Sequence, residues 1–98
     1  MATFITTIKF TEKGIQGIRD TSKRATAFKA AAKKMGVKVS NIYWTLGRFD
    51  GVIVFDAKDE ESATAAMLQL SSQGNVQTST SRAYDAAEME KVLGMLPK

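Results

Sequence analysis

Neither cysteine nor histidine occurs in this chain of 98 residues. Their absence removes disulfide frameworks, zinc sites built on thiolate or imidazole, thiol nucleophiles and Ser-His triads. Imidazole general bases and His-ligated haem or iron go with them. Any catalysis must run on carboxylates, lysine, tyrosine, hydroxyls or bound water, and neither a metal nor a cofactor is expected. Proline is nearly missing too, with Pro97 alone. No apolar run nears the roughly 18 residues a membrane span needs, and Thr and Lys interrupt Met1–Phe10 as a signal peptide. The expectation is a soluble, cytoplasmic protein with no membrane partner.

What is present suits one globular domain over residues 1–98. The residues are 44% hydrophobic and 24% charged, which argues against disorder. The net charge is +4 and the pI near 9.5. A pI above about 9 hints at nucleic acid. Lys23, Arg24, Lys29, Lys33, Lys34 and Lys38 do cluster on and just beyond the first predicted long helix. No aromatics that could stack bases are interleaved with them, so a solvated helix face is the better reading and nucleic acid an unlikely partner.

Hydrophobic periodicity lays out the elements. Thr3–Phe10 alternates, with Phe4, Thr6, Ile8 and Phe10 on one face and Thr3, Ile5, Thr7 and Lys9 on the other, as a strand does. Thr11–Asp20 reads as a break, in which Ile15 and Ile18 can pack as a short turn under the sheet. Asp20, Thr21 or Ser22 caps a helix to about Met35, with Ala25, Phe28, Ala32 and Met35 on one face and Gly36 beyond its end. Val37–Leu46 and Gly51–Ala57 read as strands joined by Gly47–Asp50. Asp59 caps a second helix, where Ala63, Ala66, Met67 and Leu70 recur at helical spacing. Val76–Tyr84 is a fourth strand, with Val76, Thr78, Thr80, Arg82 and Tyr84 on one face. Asp85 and Glu88 form a capping-box pattern ahead of a last helix striped with Met89, Val92, Leu93 and Leu96.

The order β-α-β-β-α-β-α predicts an α+β, ferredoxin-like βαββαβ domain plus a C-terminal helix. Its antiparallel four-stranded sheet has order 4-1-3-2, with both main helices on one face. The other face carries apolar residues as well. Val52-Ile53-Val54-Phe55 runs apolar on both sides, the second strand has Ile42, Trp44 and Leu46 on one side and Val37, Val39 and Tyr43 on the other, and Ile5 adds to the open side. A strand apolar on both faces is normally covered on both. Two covers are open: a second copy packed sheet on sheet, which makes a homodimer or higher oligomer, or the last helix folded back.

The candidate site residues each carry two readings. Gly47 and Asp50 suit turn chemistry, or Asp50 stands at a pocket mouth as an acid or base. Tyr43 and Trp44 point to opposite faces, as core packing or as the wall of an apolar cavity. Thr6 and Arg82 interrupt apolar neighbours on the helix side. Arg82 is the candidate for an anionic ligand, or it pairs with an acid such as Asp56 or Asp85. Asn41 completes the set as an orienting polar group.

The stretch Thr45-Leu46-Gly47-Arg48-Phe49-Asp50-Gly51-Val52-Ile53-Val54 resembles the signature of the GYD domain family, with Phe49 where that family usually has Tyr. Three further pieces fit in order and spacing: Gly14-Ile15 with Asp20-Thr21-Ser22-Lys23-Arg24-Ala25, then Asp59-Glu60-Glu61, then Gly74-Asn75-Val76 with Thr78, Thr80 and Arg82-Ala83. The resemblance implies a small bacterial or archaeal single-domain protein of the dimeric α/β-barrel type, and transfers no catalytic role. Two functions stand open. One is a small homo-oligomeric domain that binds a small-molecule ligand or serves as an accessory protein. The other is a cofactor-independent oxygenase, isomerase or decarboxylase on an aromatic or polyketide-like substrate. In that enzyme Phe4, Phe28, Tyr43 or Trp44 would line the pocket, Thr6, Asn41 and Arg82 would orient the substrate, and Asp50 or Tyr43 would move a proton.

Overall fold

Alternating apolar side chains build β1 (Ala2–Phe10), whose Phe4, Thr6 and Ile8 are buried while Ile5 and Lys9 are exposed. The computed structural model describes residues 1–98. Beyond β1 come α1 (Glu12–Gln16), a 3-10 turn (Ile18–Asp20), α2 (Thr21–Lys34), β2 (Lys38–Trp44), β3 (Gly51–Ala57), α3 (Glu60–Ser72), β4 (Val76–Ala83) and α4 (Ala86–Leu93). The sheet is antiparallel throughout, in the order β2-β3-β1-β4, which is the expected ferredoxin-like arrangement.

The core lies between one face of the sheet and α2 with α3. Phe4, Ile8, Ile53, Phe55 and Ala57 pack against Phe28 and Ala32 of α2 and Ala63, Ala66 and Met67 of α3. Phe4 and Phe55 stack with ring centroids 5.4 Å apart. Fully burying side chains of this size contributes about 1.5–3 kcal/mol each. Alanine at the contact positions of both helices lets them lie close to the sheet.

Three expectations need correction. In β2, Val39 pairs with Phe55 and Asn41 with Val54, so Ser40 is an extra, bulged residue. The bulge puts Val39 and Ile42 both against the core, and leaves Asn41 and Tyr43 on the open face. Val39 and Tyr43 therefore do not share a face, and β2 is less apolar on its open side than strict alternation suggests. The strand also ends at Trp44, and Leu46 is fully exposed.

The break after β1 is more ordered than expected. Thr11 Oγ1 accepts from Gly14 N–H at 3.1 Å to cap α1, and donates to Gly74 O at 2.6 Å. Thr11 N–H donates to Asn75 O at 3.1 Å. A side chain at Gly14 would bring its Cβ to 2.0 Å from Asn75 O, so only glycine allows this approach. Ile15 and Ile18 are exposed and do not pack under the sheet.

The last helix does not fold back. Its capping box forms, with Glu88 N–H on Asp85 Oδ1 at 2.8 Å and Asp85 N–H on Glu88 Oε1 at 3.0 Å. Yet no residue of α4 is buried. Ile5 and Tyr43 on the open sheet face stay 39% and 56% exposed, so α4 does not cover them. The radius of gyration is 14.9 Å. A compact chain of this length has roughly 13 Å, so the molecule is elongated, with principal dimensions of 54 × 31 × 18 Å.

Candidate functional site

Two hollows flank α3 on the helix side of the sheet. The first is a cleft of about 310 Å³ between α2 and α3, where β1 ends and β3 begins. Its apolar lining includes Ile8, Phe28, Ala31, Ile42, Ile53 and Leu70, and its polar lining includes Asp50, Gln69, Gln73 and Asn75. The second is a more open groove toward β4, lined by Phe4, Met67, Thr78, Thr80 and Arg82 among others. The sequence candidates are divided between these hollows and other parts of the fold.

Asp50 and Trp44 line the first cleft, with part of Tyr43. Asp50 works first as a pin: its N–H donates to Ile8 O at 2.8 Å and its Oδ2 accepts from Phe10 N–H at 2.8 Å. The β1–β3 ladder ends at Ile8 and Gly51, so the carboxylate takes up the next donor of β1. Gly47, at φ +123°, turns the chain where a side chain would be strained. Thr45 closes the loop, its hydroxyl donating to Phe49 O at 2.6 Å and its N–H to Asp50 O at 2.9 Å. The Arg48 guanidinium sits 5.4 Å over the Phe49 ring. Trp44 donates its indole N–H to Thr21 Oγ1 at 3.0 Å, tying the end of β2 to the start of α2.

The remaining candidates lie elsewhere. The Tyr43 hydroxyl points away from both hollows, its Oη accepting from Asn41 Nδ2 at 3.0 Å on the open face. Thr6 is fully buried; its hydroxyl donates to Met67 Sδ at 3.3 Å and lies 2.8 Å from Thr80 Oγ1, so it is engaged within the core. Arg82 borders the second groove but is engaged. Its Nη2 donates to Glu88 Oε2 at 3.0 Å, and its Nη1 to Thr3 O at 3.1 Å and to Ala83 O. Its guanidinium stacks 4.6 Å over Tyr84. The partner acid is thus Glu88 and neither Asp56 nor Asp85; Asp56 accepts from Thr3 Oγ1 at 2.6 Å instead. The imagined pocket that joined Phe4, Phe28, Thr6, Asn41 and Arg82 does not assemble, because they are spread over two hollows, the core and the opposite face.

A family model described as GYD domain matches residues 4–93. The chain belongs to the GYD domain family. A Thermus thermophilus protein named "Glutamine synthetase and cystathionine beta-lyase binding protein" is 32% identical over 90 residues, which is 91% of this chain and 95% of that one. The GYD fold also resembles two solved structures. One is the crystal structure of TTHA0845 from Thermus thermophilus, with TM-score 0.58 and 24% identity over 88% of this chain and 96% of that one. The other is an unknown protein from Galdieria sulphuraria, with TM-score 0.51 and 20% identity over 87% of this chain and 46% of that one. At these identities they speak to the fold alone.

Within the GYD signature, the aspartate is explained by the donor it accepts and the glycine by its backbone conformation. Two features escaped the sequence reading. Arg24 belongs to no basic patch: it turns inward, donating from Nη1 to Gly17 O at 2.7 Å and from Nη2 to Gly14 O at 3.3 Å. Asn75 reaches the cleft because Gly14 lets α1 clasp its backbone. Asn75 depends on a contact between segments distant in sequence, and Arg24 on the turn that Gly14 and Gly17 set just before its helix. The shifted carboxylates lie outside the cleft. Glu88 is held below its ordinary value by the Asp85 N–H, then by the hydrogen bond from Arg82. Asp59 is lowered by its hydrogen bonds from Ser62 at the start of α3. Both are explained by helix caps. No helix is long and apolar enough to cross a membrane.

Proposed function

We propose that this GYD domain is a homo-oligomeric accessory protein that docks on metabolic enzymes. The observation that carries the reading is α4: a capped, amphipathic helix with no buried residue and with Met89 and Leu93 44% and 46% exposed. An apolar stripe on a formed helix, none of it buried, suits a groove on another protein. The name of the Thermus relative supports the same reading, and glutamine synthetase and cystathionine beta-lyase are the partners to try first. Self-association is supported by the open sheet face, where Ile5, Val52, Val54 and Tyr43 form an apolar centre flanked by Thr3, Thr7 and Ser81. The cytoplasm, where such enzymes work, is the proposed location.

Interferometry of the purified chain against each of the two enzymes from the same organism tests the docking. Binding to either is expected, together with its loss in Leu93→Lys while the melting temperature holds. Binding to neither enzyme, or undiminished binding by Leu93→Lys, overturns the proposal.

A further inference from the structure

The cleft between α2 and α3 has a charge pattern that the docking reading does not use. Asp50 and Arg24 are the only charged residues lining it. Arg24 is turned onto backbone, with one N–H of Nη1 on Gly17 O and one of Nη2 on Gly14 O, and pairs with no carboxylate. Asp50 spends only Oδ2, on Phe10 N–H, and no protein donor reaches its Oδ1. At the Asp50 end of the cleft an anion would face a carboxylate that no cation pairs with, whereas a cation would meet an acceptor ready for it.

Trp44 adds a second cation-attracting group. It pairs in register with Gly51, the residue after Asp50, so ring and carboxylate flank the same end of the cleft. The indole is 48% exposed, and its N–H is tied to Thr21 at 3.0 Å. A ring held in place beforehand loses little freedom when a ligand settles on it, and tryptophan is the best ring for holding a cation. Behind these two groups the lining is apolar, with Phe28, Ile53 and Leu70. A cavity of about 310 Å³ is at the small end of ligand sites and suits a molecule of single-ring size.

We infer that this cleft binds a small hydrophobic amine in its ammonium form, the nitrogen between Asp50 Oδ1 and the Trp44 ring and the apolar part over Ile53. The inference stands apart from the docking function, since neither α4 nor the open sheet face takes part.

Trp44 is the only tryptophan, so its fluorescence reads the cleft directly. Three probes share a ring and differ in charge: 2-phenylethylamine, 2-phenylethanol and phenylacetate. The amine is expected to change the emission saturably, with affinity roughly tenfold or more above the alcohol and phenylacetate weakest. Asp50→Asn keeps an acceptor for Phe10 N–H, so it folds, and it is expected to erase the preference for amine over alcohol. Ala31→Phe fills the cleft and is expected to abolish the response to all three, with thermal melting as the check on folding. The inference is overturned if phenylacetate binds as tightly as the amine, if the preference survives in Asp50→Asn, or if no probe gives a saturable change up to about 10 mM.

Discussion

The two faces of the sheet are made from the same four strands and end in different conditions. On the helix side, Phe4, Ile8, Ile53 and Phe55 are buried under α2 and α3, and the one buried polar residue, Thr6, has its hydroxyl bonded. On the open side, Ile5, Val52, Val54 and Tyr43 sit at the centre of a ring of threonine, serine and asparagine, none of them buried. Charge is confined to the margin, at Lys9, Lys38 and Asp56. One face is committed to this chain's own stability. The other keeps its charges to the rim and its centre apolar, the pattern of a surface suited to meeting another protein.

Substitutions on each face sharpen that contrast. Phe55→Ala on the covered face has the largest expected effect, a loss of about 3–5 kcal/mol through the cavity it leaves, out of a total of roughly 5–15. Urea denaturation measures it. Asp50→Ala, at the end of the β1–β3 ladder, leaves Phe10 N–H without its acceptor and is expected to cost about 1–3 kcal/mol, while Asp50→Asn costs little; thermal melts of the two variants separate charge from hydrogen bonding. On the open face, Ile5→Lys is expected to cost below about 1 kcal/mol in stability. Its effect is on assembly instead, where sedimentation equilibrium should give a multiple of 10.7 kDa for the parent chain and 10.7 kDa for the variant. Equal masses for the two would erase the functional contrast between the faces.

The smallest expected effect is on α4. Glu88 is held below the ordinary glutamate value of 4.5 by the Asp85 N–H and by Arg82. A lowered carboxylate contributes stability that is fully present above that value and is lost as pH falls through the lower, folded one. Far-UV circular dichroism from about pH 5 to about pH 3 should therefore show α4 fraying before the sheet melts, and Glu88→Gln should remove the step.

Much of the architecture was legible because local chemistry and global fold agree. The period-two pattern of Thr3–Phe10, the Asp59 cap and the Asp85–Glu88 box each specify their element within a few residues. The bulge was not legible: Val39-Ser40-Asn41-Ile42 alternates acceptably in either register, and only pairing with Phe55 and Val54 decides between them. The candidate site was legible in part. Trp44 and Asp50 meet at one cleft because the turn between β2 and β3 is local. Thr6, Asn41 and Arg82 scatter because their surroundings are set by residues far along the chain or by α4, whose direction no periodicity encodes.

The bulge at Ser40 bears on how this protein stays out of aggregates. β2 lies at one margin of the sheet, and an unbroken margin of free N–H and C=O groups invites strand addition by any extended chain. A bulged residue spoils the regular spacing such a template needs, and Lys38 puts a charge beside it. The other margin, β4, is Val-Gln-Thr-Ser-Thr-Ser-Arg-Ala, too polar to zip dryly onto a copy of itself. Both margins are thereby guarded, so that a sheet with an apolar centre on its open face has no regular edge from which to grow sideways into fibrils.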